Sequence, residues 1–181
     1  DNEYKIIENN FAPTEEIDDK DEPINLTEGD DVWVGTQSNE EVNGLEGNDN
    51  LNGEKGQDLL RGMKGNDALN GGDNDDDLFG GDGNDTLYGG KGNDFIDGGS
   101  GQDLFVLSEG KDVIFDYTPG EEIKIPAGYK YQFDNTTPSV TVELVKEDED
   151  EVVGRTTLLN TTNQEDINVL TNSESNDSNA N

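Results

Sequence analysis

Carboxylates recur every nine residues along the middle of this chain, at Asp31, Glu40, Asp49, Asp58, Asp67, Asp76, Asp85, Asp94, Asp103, Asp112 and Glu121. Two kinds of chemistry suit such a line: acid and base work by paired carboxyls, or the binding of a hard cation. Two residues before most of them stands a glycine, at Gly29, Gly47, Gly56, Gly65, Gly83, Gly92, Gly101 and Gly110, and a second glycine column runs from Gly35 through Gly98. Carboxylates beside open glycine loops offer both side-chain and carbonyl oxygen, the donor set of calcium, which takes roughly six to eight oxygens at about 2.3–2.6 Å. The chain has neither His nor Cys. That removes imidazole bases, thiol nucleophiles, disulfides and the usual zinc ligands. A calcium ion saturated by protein oxygens leaves no open position for substrate, so no enzyme activity is expected. A solvated acidic surface is the plainer account of the carboxylates. It does not explain why they are locked to glycine and apolar columns.

The elements that must position them follow from the same period. Two residues after each carboxylate stands a large apolar residue: Trp33, Val42, Leu51, Leu60, Leu69, Leu78, Leu87, Ile96, Phe105, Ile114 and Ile123. GGDGNDTLY at 80–88, GGKGNDFID at 89–97 and GGSGQDLFV at 98–106 show the unit most clearly. Numbering the leading glycine as position one, each unit reads as a six-residue loop followed by a three-residue strand with one inward side chain, at position eight. Strands that short need stacked neighbours, which would bury position eight as a narrow continuous core. Stacked strands lie about 4.8 Å apart, so an ion midway between equivalent loops would sit about 2.4 Å from each. Position four is Ser38 in the second unit and Asn74 in the sixth, and Leu26 and Thr27 replace the leading glycines of the first. Asn tolerates a left-handed backbone better than Ser does. The first two units therefore depart most from the pattern.

Composition sets the terms on which such a stack can form. Among 181 residues, 11 Lys and Arg face 44 Asp and Glu, a formal charge of -33, and only 28% are hydrophobic. Carboxylates about 5 Å apart repel by roughly 1 kcal/mol in water and more at lower dielectric. Glycine loops add backbone entropy to the cost. Folding coupled to calcium is therefore expected, with an expanded apo chain. Nucleic acid is disfavoured as a partner for want of a basic footprint, as is an acidic membrane surface. No apolar run of roughly 18 residues is present, so no membrane insertion is expected.

These residues resemble the RTX (repeat-in-toxin, hemolysin-type) calcium-binding family, whose unit is GGxGxDxUx with U a large apolar residue, over about residues 26–124. The resemblance implies an all-β fold, a right-handed parallel β-roll of nonapeptide turns with a C-terminal β cap. In that family two units make one coil. Asp31, Asp49, Asp67, Asp85 and Asp103 would then share one edge, with Glu40, Asp58, Asp76, Asp94 and Asp112 on the other. Loop carbonyls are implied as further ligands, in this chain from Gly71, Gly80, Gly81, Asp82, Gly83, Gly89, Gly90, Lys91, Gly92, Gly98, Gly99, Ser100 and Gly101. Four pairs on each edge set an upper count of about eight calcium ions, cancelling about half of the formal charge. The family further implies a secreted, extracellular or cell-surface bacterial protein. One expected role is a module for folding and secretion; the other is a self-assembling surface or matrix protein forming filaments or layers.

Residues 1–25, with YKII and an acidic DDKDE run, read as an N-terminal arm or linker, and 171–181 as a polar tail. Residues 107–124 keep the phase and close the array. Over 125–170 the longer alternating stretches YKYQF, SVTVELV and EVVGRTTLL read as antiparallel strands capping the open end. Leu59, Phe79, Phe95, Val113 and Phe115 fall on one outer face, with Tyr88, Leu104 and Val106 on the other. Cover by the arm or cap is the expectation for the first stripe. Self-association or a cell-surface partner is the alternative.

Overall fold

The structure is a computed structural model that describes residues 5–6, 22–134, 139–159, 161 and 164–171. The chain winds as a parallel β-solenoid in which every second nonapeptide returns to the same wall. Residues eighteen apart pair in parallel register, as Leu60 does with Leu78 and Leu69 with Leu87. One wall stacks Trp33, Leu51, Leu69, Leu87, Phe105, Ile123 and Val169 in successive strands. The other stacks Ile24, Val42, Leu60, Leu78, Ile96, Ile114 and Leu158. Ile24 extends the apolar column one step before Trp33, and it is partly buried against the core. Among the described residues there is no α-helix, only one 3-10 turn at Gln164–Asp166.

Most strands are longer than the three residues expected. Leu59–Lys64, Ala68–Asp73, Asp77–Asp82 and Phe95–Ser100 each run six residues, from position seven through position three of the next unit. Two positions rather than one face inward, because alternation buries position one as well as position eight, Gly62 with Leu60 and Gly71 with Leu69. The left-handed residues are not those of position one. They lie at position two, as in Gly81 at φ 114°, and at position four, as in Gly83 at φ 140°. Asn74 adopts φ 92° as anticipated, whereas Ser38 stays out of the left-handed region.

Past the array, Tyr129–Asp134, Val140–Lys146 and Val152–Leu158 form an antiparallel meander. Its last strand pairs in parallel with Glu109–Ile114 and so continues the second wall. Asn168–Leu170 pairs with Glu122–Lys124 and continues the first. At the opposite end Lys5–Ile6 pairs with Asp31 and Val32 of its own chain. The rest of the expected arm through residue 21, and the tail after Thr171, lie outside the described residues. Among the described residues the cap does not lie over the aromatic stripe. It extends the sheet edge to edge, so that Phe115 stays 46% exposed and Leu159 48%. Phe79, Phe95 and Phe115 cover one another instead, with ring centroids 5.8 and 5.7 Å apart.

Candidate metal centre

The carboxylate of each unit closes the loop just before the strand, where the chain turns its side chain inward. Asp49, Asp58, Asp67, Asp76, Asp85, Asp94 and Asp103 are all buried, in two ladders with steps of eighteen residues. In each step the main-chain N–H of one Asp donates to Oδ1 of the next: Asp49 to Asp67 at 2.7 Å, Asp67 to Asp85 at 2.7 Å and Asp85 to Asp103 at 2.8 Å. The other edge repeats this from Asp58 to Asp76 at 2.8 Å and Asp76 to Asp94 at 3.0 Å. The second oxygen, Oδ2, is buried without a hydrogen-bond partner in all seven of these residues. A buried acceptor left unpartnered costs on the order of 1–3 kcal/mol, and a charged one more.

Why position one is glycine becomes clear here. A Cβ on Gly80 would stand 2.3 Å from Asp85 Oδ2 and 2.5 Å from the carbonyl oxygen of Gly98. Gly44, Gly53, Gly62, Gly71, Gly89 and Gly98 stand in the same relation to the Asp five residues on. Each free Oδ2 thus fills the space a side chain would take, and at Gly44, Gly53, Gly62, Gly71 and Gly80 the carbonyl oxygen of the glycine eighteen residues on borders the same space. Among the described residues no three acidic side chains converge on one point. Carboxylates come as stacked pairs, and the other oxygens near them are main-chain carbonyls. Anionic and neutral oxygen in that mixture fits calcium.

Burial raises the proton affinity of the seven carboxylates whose Oδ2 lacks a partner. Asp76 and Asp85 are pushed up to about 7, first by desolvation and then by the neighbouring carboxylates Asp58 and Asp94, or Asp67 and Asp103; the main-chain donor works against this in both. Asp49, Asp58 and Asp94 are raised to about 6, and Asp67 and Asp103 are raised, each chiefly by desolvation.

Asp31 and Asp112 belong to the ladders but differ in their second oxygen. Asp31 Oδ2 accepts from Thr27 N–H at 2.7 Å and Thr27 Oγ1 at 2.8 Å, and Asp112 Oδ2 accepts from Ser108 Oγ at 2.9 Å. Among the loop residues, Gly71, Gly80, Gly89 and Gly98 line the Oδ2 sites. Gly81, Gly90, Gly99, Gly83, Gly92 and Gly101 shape the turn by their left-handed backbones. Asp82, Lys91 and Ser100 turn their side chains outward, where Lys91 pairs with Asp73 at 3.1 Å and Ser100 Oγ donates to Asp82 at 3.2 Å. Their carbonyls accept from Gly65, Asn74 and Gly83 at 2.7–2.9 Å and so hold the stack.

Position five is a structural column that sequence reasoning passed over. Asn48 Oδ1 accepts the N–H of Asn66, Asn66 Oδ1 that of Asn84, and Asn84 Oδ1 that of Gln102, each at 2.8 Å. These bonds run opposite in direction to the Asp ladder, so each loop is stitched both ways. The signal was the run of Asp, Asn and Gln from Asp30 to Gln102 at a position the nonapeptide pattern leaves free.

The model of the RTX calcium-binding nonapeptide repeat, in four copies, matches residues 34–69, 52–87, 70–105 and 79–114. Comparison with curated proteins gave no match. Among solved structures, the chain is similar to the solution structure of the AlgE6R3 subunit from the Azotobacter vinelandii mannuronan C5-epimerase. The two are 19% identical, the alignment covers 83% of this chain and 85% of that one, and the TM-score is 0.27.

Proposed function

From the premise that residues 34–114 are an RTX calcium-binding repeat array, we propose that the two Asp ladders hold calcium between successive coils and that the roll folds when they do. The observation that carries this is the set of seven buried Oδ2 atoms, stacked in steps of eighteen residues and left without partners. Bound calcium supplies the positive charge that offsets carboxylate repulsion across each step. The chain's own part is to present paired Asp oxygens, keep position one free of side chains, and bury the apolar column once the coils close. We assign the module no catalytic role: it serves folding, secretion and structure. Sites of this kind suit extracellular fluid, where calcium is plentiful enough for weak, multiple sites to fill, and a cysteine-free chain suits export before folding. Circular dichroism with calorimetry during calcium titration tests the proposal. Strand signal present in chelator and unchanged by calcium would defeat it.

One observation favours a second reading, self-association or a cell-surface partner. The Phe79, Phe95 and Phe115 ladder continues toward Leu159 on one outer wall with two members nearly half exposed. An apolar stripe on so acidic a surface suits a partner face. Sedimentation with calcium that yields only monomer, with no shift on Phe115→Ser, removes the self-association branch.

A further inference from the structure

The same altered loop stands at both ends of the array. LTEGDD at 26–31 and LSEGKD at 107–112 share Leu, a hydroxyl residue, Glu, Gly and Asp in register. In the central units position one is glycine, because a Cβ there would meet Asp Oδ2 at 2.1–2.5 Å. At the ends it is Leu26 and Leu107, both buried in the core cluster. The neighbouring hydroxyl then takes up the carboxylate. Thr27 donates twice to Asp31 Oδ2, and Ser108 donates to Asp112 Oδ2. Thr156 of the cap strand, paired with Asp112 across the sheet, also hydrogen-bonds to that carboxylate. Glu40 is engaged similarly by Thr36 N–H and Oγ1, four residues before it.

We infer that the terminal loops are metal-free closures, in which an uncharged hydroxyl and a core leucine replace the cation and the glycine. This rests on the reading of the central ladder as calcium sites. A solenoid that ended on an open ion site would have one coil's oxygens on one side of the ion and water on the other. The Leu-(Ser/Thr)-Glu-Gly-x-Asp loop ends each ladder on a satisfied carboxylate instead. Pairs in which both members keep a free Oδ2 are Asp49 with Asp67, Asp67 with Asp85, Asp85 with Asp103, Asp58 with Asp76, and Asp76 with Asp94. Five calcium ions are therefore expected where sequence pairing allowed about eight.

Native mass spectrometry of the full chain, titrated with calcium alone, counts the ions directly. Wild type is expected to hold five. Asp31→Asn and Asp112→Asn are expected to hold five as well, whereas Asp76→Asn loses at least one. Ser108→Gly combined with Thr156→Val, which removes both hydroxyls from the Asp112 carboxylate and keeps that carboxylate, is expected to gain one ion. It keeps the test sharp if Asp112→Asn folds poorly. Loss of an ion in Asp31→Asn or Asp112→Asn, or no gain in the Ser108→Gly, Thr156→Val variant, overturns the closure while leaving the central sites intact. No bound calcium in wild type overturns the central reading itself, and the closure with it.

Discussion

The main-chain N–H of Asp67 donates to Oδ1 of Asp85 at 2.7 Å, and the other oxygen of that carboxylate is buried with no partner. One oxygen therefore sets the register of the coil, and the other is the atom proposed to meet calcium. Asp85→Asn keeps the first contact and removes the charge. Calcium affinity should fall about tenfold or more, equivalent to about 1.4 kcal/mol. The calcium-free chain should not lose stability, since an unpaired buried charge is gone. Calorimetry and dichroism check the two halves separately. Equal calcium affinity in Asp85→Asn and wild type would take Asp85 out of the site.

Proton binding offers a second route to neutralising the ladder. Desolvation raises Asp76 and Asp85 to about 7 and Asp49, Asp58 and Asp94 to about 6. Their unfolded value is 3.8. Without calcium the folded state thus binds more protons than the unfolded one at intermediate pH. These groups contribute stability that is fully present below the unfolded value and is lost as pH rises through 6 to 7. Strand signal in chelator should grow as pH falls from 8 to 5. Because calcium must displace those protons, its apparent affinity should weaken over the same range. A flat chelator signal across that window would contradict the burial seen here.

Periodicity made the apolar and carboxylate columns legible, since a nine-residue repeat puts Leu60 and Leu78 in register whatever the loop does. The loop's backbone was harder to read. Leu45, Glu54 and Met63 sit at position two with φ of 82°, 71° and 78°. Nothing in their types announces a left-handed residue, and only later units put glycine there. Leu26 and Leu107 looked like losses of glycine from the pattern. They are core residues, because the hydroxyl beside each removes the Asp oxygen that glycine makes room for. The cap was legible as antiparallel strands. Its attachment edge to edge was not, because alternation within a strand does not say which edge it joins.

Glycine substitutions should separate the two left-handed columns. At position two the side chain points outward, and Met63 is accommodated there at 42% exposure. At position four a Cβ on Gly83 would stand 1.6 Å from the carbonyl oxygen of Gly65. Gly83→Ala therefore has to move backbone in two coils, at a cost of roughly 3 kcal/mol or more. A Cβ on Gly81 would stand 2.2 Å from the carbonyl oxygen of Met63, less close than at Gly83, and Met63 itself holds a side chain at this position with φ 78°. Gly81→Asn should therefore cost less than Gly83→Ala, Asn being the residue that best tolerates this region after glycine. Thermal melts in saturating calcium rank the pair. The reverse order would mean that position two, not position four, governs how closely the coils approach.

Trp33 reports the first coil alone, being the sole tryptophan of the chain. It is 2% exposed and pairs in register with Leu51. Its own loop is closed by Thr27 and Asp31, yet a three- or four-residue strand cannot hold its place without the next coil beneath it. The coil that carries Leu51 depends on Asp49, whose Oδ2 is free. The first coil should therefore wait for calcium bound further along. Calcium is expected to shift Trp33 emission to shorter wavelength, at the same midpoint as the gain of strand signal. Asp49→Asn should move that emission midpoint to higher calcium, while Asp31→Asn leaves it in place. Emission already shifted in chelator would show that the first coil stacks on its leucine and hydroxyl contacts alone, without the ladder.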